Sequence, residues 1–310
     1  MEGIVYKSTG SWYAVKDAAD ADWNARVKGV MKIDDITSTN PIAVGDHVHF
    51  DVETEGENVG IIYKIEDRRN YINRQSPRHK RQHHIIAANL DQSLLLATLR
   101  NPKTSQGFMD RFLVACEMYH VPAVLVINKS DIYKKKELEL FDALKEMYEA
   151  IGYPVFLISV EGWKSIDLVA KLLHQKTTLI SGHSGVGKSS FINAVMPQSG
   201  IRTHEVSEWS GKGMHTTTFA EMYDLPGGGK IIDTPGMREF GLVDLSRTEL
   251  SGYFPEMRTR LTGCQFNNCL HVAEPGCAIK EAVRSYEIHE NRYESYIAIL
   301  NSLPEHGWRE

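Results

Sequence analysis

The sequence predicts a multidomain α/β protein: an OB-like β-barrel at the N-terminus, a doubly wound α/β domain in the middle, and a mainly helical C-terminal domain. Three observations predict it. Short apolar runs alternate with polar residues over 1–72, buried strand-like segments alternate with helical ones from Asp91 onward, and three of the four cysteines crowd into 264–277. A chain of 310 residues, 42% hydrophobic and 24% charged, is long enough for two or three cores.

The first element is the barrel, residues 1–72. Its runs are Gly3 to Lys7, Trp12 to Val15, Ala25 to Met31, His47 to Val52 and Val59 to Ile65, broken by Gly, Asn-Pro and Asp-rich turns. Period-two patterning without a long helical stripe indicates a small closed sheet, with an OB-like barrel the favoured version. A basic connector follows. Between Arg68 and Leu90 stand six Lys or Arg (Arg68, Arg69, Arg74, Arg78, Lys80, Arg81) and three His, with no acidic side chain. The net charge of -5 gives no global nucleic-acid footprint, but such a footprint need only be local. Barrel and connector together suggest RNA; an exposed linker is the plainer reading of the connector.

The second element spans 73–240. Strands are expected at 93–99, 121–127, 153–159, 177–181, 218–224 and 229–233, with helices near 107–120, 134–150, 162–175 and 188–195. Thr177 to Ile180 runs into Gly182-His183-Ser184-Gly185-Val186-Gly187-Lys188-Ser189-Ser190, a Gly-x4-Gly-Lys-Ser loop in its required strand-loop-helix setting. The glycines let successive N–H groups, helped by the helix N-terminus, point at phosphates. Lys188 suits the β- and γ-phosphates, and the Ser189 hydroxyl suits Mg²⁺. Further on, Asp233-Thr-Pro-Gly236 ends a second strand, where an acidic residue can hold the Mg²⁺ water shell and Gly236 can offer its N–H to the γ-phosphate.

Val121 to Ile127 delivers Asn128-Lys129-Ser130-Asp131. A carboxylate at Asp131 accepts from guanine N1–H and the 2-amino group together; adenine offers neither donor and leaves the charge unpaired. Asn128 suits the other edge of the base, Lys129 the ribose and the phosphate loop, and Ser159-Val160 the last base-contacting loop. The base motif therefore precedes the phosphate loop, the reverse of the ordinary order, which predicts a circularly permuted P-loop GTPase domain. Met237 stands where small GTPases commonly carry a water-orienting Gln, so another group must do that work. His215, in Gly213-Met-His-Thr-Thr-Thr218, is the candidate, with RNA or solvent contact the alternative. Thr217 is expected to close over Mg²⁺ and the γ-phosphate.

The third element, 241–310, opens on Cys264-x4-Cys269-x-His271-x5-Cys277: three thiolates and one imidazole, the donor set of a closed structural zinc site. The spacing is not that of a standard finger. A helical tail around 278–301 carries apolar Ile279, Val283, Tyr286, Tyr293, Ile297 and Leu300. Ten acidic residues against seven Lys or Arg mean that any RNA contact here is not mainly net charge. Cys116 is expected to be helix packing.

Asn128 to Asp131, Gly182 to Ser190, Gly213 to Thr218, Asp233 to Gly236 and the Cys/His cluster, in this order, closely resemble the ribosome small-subunit-dependent GTPase A family (the RsgA, YjeQ or YloQ type) over essentially the whole chain. The resemblance implies GTP and GDP as ligands, late maturation of the small ribosomal subunit, contact with its rRNA, and GTPase activity stimulated by that subunit. It also matches the four metal positions, implying one zinc ion. A nucleotide-gated scaffold and a metabolic phosphotransferase are the rival classes; Asn128 to Asp131 argue against the second. The apolar runs are far below the roughly 20 residues of a membrane span. No secretory start is evident, so a cytoplasmic monomer with no membrane association is expected.

Overall fold

The computed structural model describes residues 1–27, 41–53, 58–75, 83–162, 164–197, 220–234, 242 and 245–304. The first five strands are β1 (Glu2–Ser8), β2 (Tyr13–Asp17), β3 (Asp22–Val27), β4 (His47–Val52) and β5 (Val59–Ile65). They pair in the order β1-β2-β3-β5-β4, and β4 returns to β1, so the sheet closes into a five-stranded barrel. All pairings are antiparallel except β3 with β5. Alternate side chains fill the interior: Val5, Tyr13, Val15, Val48, Phe50 and Ile62. Gly60 lets the Phe50 ring occupy that space, because a Cβ there would stand 2.7 Å from it.

The described residues of the expected connector include two strands. β6 (Tyr71–Gln75) and β7 (His83–Ala88) form an antiparallel ladder of their own, with Ile72 and Ala87 buried opposite one another. Charge dominates the composition of this stretch and hides a period-two pattern only a few residues long. Among the described residues, two of its basic side chains serve the chain itself. Arg68 grips buried Asp46 through Nε at 2.7 Å and a terminal nitrogen at 2.6 Å, and Arg69 pairs with Asp91 at 2.7 Å.

The α/β region comprises β8 (Gln92–Ala97), α1 (Gln106–Met118), β9 (Ala123–Ile127), α2 (Lys135–Glu149), β10 (Val155–Leu157), α3 (Ile166–Leu173), β11 (Thr177–Ser181), α4 (Lys188–Val195), β12 (Glu221–Asp224) and β13 (Lys230–Asp233). The strand order is β10-β9-β8-β11-β13-β12, all parallel except β12. Both faces are covered, which is why β8 and β9 read as unbroken apolar runs. Leu95 and Ala97 of β8 face α1 and α2; Leu94 and Leu96 face α3 and α4. The barrel joins this sheet where Lys7 of β1 pairs with Glu221 of β12, reinforced by a Tyr6 hydroxyl bond to Asp224 at 2.7 Å.

The C-terminal region packs α5 (Pro255–Arg258), α6 (Ala278–Arg284) and α7 (Glu290–Ser302) against α1 and α2. Phe254, Met257, Ile279, Tyr296 and Leu300 continue the apolar cluster of that face. The expected helical tail is two helices. It breaks at Tyr286, which has φ +61° and is 91% exposed, so this residue leaves the apolar stripe assigned to it. Among the described residues no helix is long and apolar enough to cross a membrane.

Candidate nucleotide and metal sites

Parallel β8, β9, β10 and β11 end at one edge, and the loops leaving them bring the sequence motifs together, as the crevice rule for open α/β sheets requires. Gly182, Gly185 and Gly187 all have positive φ. Gly182 approaches the end of β8 so closely that a Cβ would stand 2.4 Å from the Leu96 carbonyl oxygen. At Gly187 a Cβ would meet the Asn128 amide nitrogen at 2.7 Å. Glycine at 187, with φ +94°, caps α4 and lets the phosphate loop lie directly on the base motif.

Asn128 is 2% exposed and joins three segments. Its Nδ2 donates to the Val186 carbonyl at 2.9 Å, and its Oδ1 accepts from the Val160 N–H at 3.2 Å. Lys129 sits in the left-handed region with φ +65° and donates through Nζ to the Asn101 carbonyl at 2.5 Å. Asp131 is exposed on the one-turn helix Ser130–Ile132, and its carboxylate accepts from the hydroxyl of buried Ser159. The Gly162 N–H donates to that same Ser159 oxygen at 2.9 Å.

On the phosphate side, Lys188 Nζ lies 2.7 Å from the Thr234 carbonyl and 3.6 Å from Asp233 Oδ1. That carboxylate oxygen is buried and has no hydrogen-bond donor among the described residues, an acceptor suited to a metal-bound water. Ser184 is exposed, while Ser189 and Ser190 are half-buried in the first turn of α4. The His183 ring stacks on Phe108 of α1 with centroids 3.7 Å apart, and burial holds its pKa below the usual 6.5. His215, Thr217 and Gly236 lie outside the described residues.

In the C-terminal region the donor atoms of Cys264, Cys269, His271 and Cys277 lie within 4.8 Å of one another. His271 Nδ1 is 3.6 Å from Cys264 Sγ and 3.4 Å from Cys277 Sγ. Tetrahedral zinc, with bonds of about 2.3 Å to sulfur and 2.0 Å to nitrogen, sets an S···N edge of about 3.5 Å. The residues present fit that ion. Burial pushes the Cys269 thiol up to about 12, a cost that a cation among the sulfurs removes.

Two family models match the barrel and the α/β region: the RsgA N-terminal domain matches residues 2–62 and the RsgA GTPase matches 65–243. The chain belongs to the RsgA GTPase family. It is a GTP hydrolase. Curated relatives include the small ribosomal subunit biogenesis GTPase RsgA of Christiangramia forsetii, 49% identical over 97% of this chain and 96% of the relative. RsgA 2 of Bacteroides thetaiotaomicron is 47% identical over 100% and 99%. Solved relatives include YjeQ from Thermotoga maritima, 31% identical with a TM-score of 0.78 over 97% of this chain and 98% of that one. YloQ, a circularly permuted GTPase, is 30% identical with a TM-score of 0.72 over 97% and 94%.

The RsgA fold also employs residues that the motifs do not contain. Tyr133, two positions beyond Asp131, donates to the Asn128 carbonyl and accepts from the Leu99 N–H. Glu274 accepts from the Leu270 and Val272 N–H groups, each at 2.8 Å, and fixes the loop carrying His271. The Tyr293 and Tyr296 hydroxyls of α7 bind the His271 and Leu270 carbonyls at 2.7 and 2.8 Å. An acid inside a Cys/His run hints at Glu274; no sequence signal distinguishes the tyrosines from apolar filling.

Proposed function

We propose that this chain acts in late maturation of the small ribosomal subunit, binding its rRNA and hydrolysing GTP with stimulation by that subunit. Asn128 carries the reading. Its buried amide spans the phosphate loop and the 159–160 loop, so the base motif and the phosphate motif form one site despite standing in inverted order along the chain. In that site Asp131 selects guanine, with Asn128, Lys129, Ser130, Ser159 and Val160 around base and ribose. Gly182 to Ser190 cradle the phosphates, and Lys188 leaves its carbonyl partner for the β- and γ-oxygens. Mg²⁺ supplies charge neutralisation when bound; Ser189 and Thr217 are its ligands, Asp233 holds its water, and Gly236 donates to the γ-phosphate. His215 orients the attacking water, because Met237 cannot.

Cys264, Cys269, His271 and Cys277 hold one zinc ion as a structural staple. The barrel and the basic segment meet rRNA, with the work falling on Arg74, Arg78, Lys80 and Arg81, since Arg68 and Arg69 already face carboxylates of the chain. The names of the curated relatives support this ribosomal assignment. A cytoplasmic monomer fits the reading.

The test is GTP turnover by the protein alone and with small subunits, large subunits or whole ribosomes. Selective stimulation by small subunits is expected, and its absence refutes the maturation role. His215→Ala is expected to retain GTP binding and to lose stimulated turnover by at least about tenfold, in the range of general acid–base and water-positioning groups.

A further inference from the structure

The turn that presents Asp131 is held from both ends by one side chain outside the motif. Backbone N–H of Tyr133 closes the one-turn helix on the Ser130 carbonyl at 3.4 Å. Its hydroxyl then reaches back to donate to the carbonyl of Asn128 and accepts from the Leu99 N–H at 2.8 Å. Asp131 thus lies inside a loop whose two ends Tyr133 ties together. The second bond anchors that loop to the end of β8, and Lys129 adds a further tie to the same segment through the Asn101 carbonyl.

The turn needs such support. Lys129 holds φ +65°, a conformation unfavourable to a side-chain-bearing residue that persists where surrounding contacts over-determine it. The side chain of Asn128 is fixed by Val186 and Val160, and Ser159 orients the Asp131 carboxylate. The main chain of the turn is tied by the Asn128 N–H to Ala97, the Ser130 N–H to Ile158 at 3.0 Å and the Ile132 N–H to Lys129, and the phenol adds a hold on the Asn128 carbonyl, where the turn begins. The hydroxyl gives its one hydrogen and accepts one bond, and burial pushes its pKa up to about 12, so it stays protonated across the working range.

We propose that Tyr133 is a positioning residue for guanine selection: its hydroxyl, clamped between the Asn128 carbonyl and the Leu99 N–H, aims Asp131 at the base. The inference rests on the guanine-site reading given above. Tyr133→Phe keeps the ring packing and removes both bonds. Affinity for GDP is expected to fall about tenfold, the scale set by a buried acceptor losing its donor. Affinity for IDP, which lacks the 2-amino group that Asp131 reads, is expected to fall less, so that the GDP-to-IDP preference shrinks at least about threefold. The thermal midpoint is expected to fall too, because the Asn128 carbonyl and the Leu99 N–H both lose a partner, so the nucleotide ratio and not stability carries the test.

Both nucleotides are measured on one preparation, so a partly inactive sample cancels from the ratio. A GDP-to-IDP ratio equal to wild type overturns the role of Tyr133, whatever the absolute affinities. Asp131→Asn runs beside it with XDP, whose C2 carbonyl matches an amide donor. If Asp131→Asn binds XDP better than GDP while the ratio in Tyr133→Phe is unchanged, only the positioning role falls. If Asp131→Asn gains no XDP binding, the base-site assignment falls and takes this proposal with it.

Discussion

His183 sits where the phosphate loop meets α1, and its environment converts directly into a pH dependence. Burial against Phe108 lowers its folded pKa below 6.5, so the folded protein resists a proton that the unfolded chain accepts. No penalty exists above about pH 7, where the imidazole is neutral in both states. Stability is lost as pH falls below about 6.5 toward the folded pKa. His183→Gln removes this linkage: the urea midpoints of wild type and variant should keep a constant offset above pH 7, and wild type should lose ground to the variant between pH 6.5 and 5. Parallel curves throughout would exclude the effect. At this scale the sequence was informative wherever chemistry needs a residue type at a spacing, as in Gly182 to Ser189, Asn128 to Asp131 and the four metal donors. It was silent where a residue works by reaching a distant backbone group, as Tyr133 does, because the partner at Leu99 is fixed by the sheet and leaves no mark in the local pattern.

Beside its apolar contacts, helix α7 holds the C-terminal region to the α/β region through a buried cation. Arg292 is 1% exposed and binds Asp110 of α1 and Glu256 of α5, the latter through Nε at 2.7 Å, while its guanidinium lies 4.6 Å from the centre of the Phe254 ring. The Tyr148 hydroxyl of α2 completes the cluster with a 2.8 Å bond to Asp110. Arg292→Met strands two buried carboxylates and is expected to cost about 3–5 kcal/mol. Denaturant unfolding would show it, with a matching rise in amide exchange along 290–302; a loss under about 1 kcal/mol would mean that the site relaxes to admit water. Strands and helices of the α/β region were legible to within a few residues, since double-sided burial writes continuous apolar runs. In the tail the expected stripe of Tyr293, Ile297 and Leu300 lies to one side of the face that is buried, Arg292, Tyr296, Ile299 and Leu300: a cation on the buried face reads as a solvated position until its carboxylate partners, more than thirty residues away, are placed beside it.

Across the whole molecule, α7 links two sites of different chemistry. Tyr293 and Tyr296 hold the metal loop, and Arg292 beside them grips α1, whose Phe108 touches the phosphate loop. Stripping the metal from the full-length protein with a chelator is expected to raise exchange sharply across 264–277 and mildly along α7, with GDP affinity changed less than about threefold. A large loss of GDP binding would show that the metal organises the nucleotide site as well. The order of the domains could be read from composition alone. How they adhere could not, because the contacts between them join residues far apart in the sequence, such as Lys7 with Glu221 and Arg292 with Asp110.

The pairing of β1 with β12 also decides where the large sheet stops. Within the α/β sheet β12 is the last strand, and its free side would offer unpaired N–H and C=O groups to any passing extended chain. Lys7, Tyr6 and Lys16 of the barrel lie along that margin and engage Glu221 and Asp224. The barrel is therefore also a hem on the GTPase sheet, covering a boundary whose backbone groups would otherwise stand ready for the strand of a neighbouring molecule.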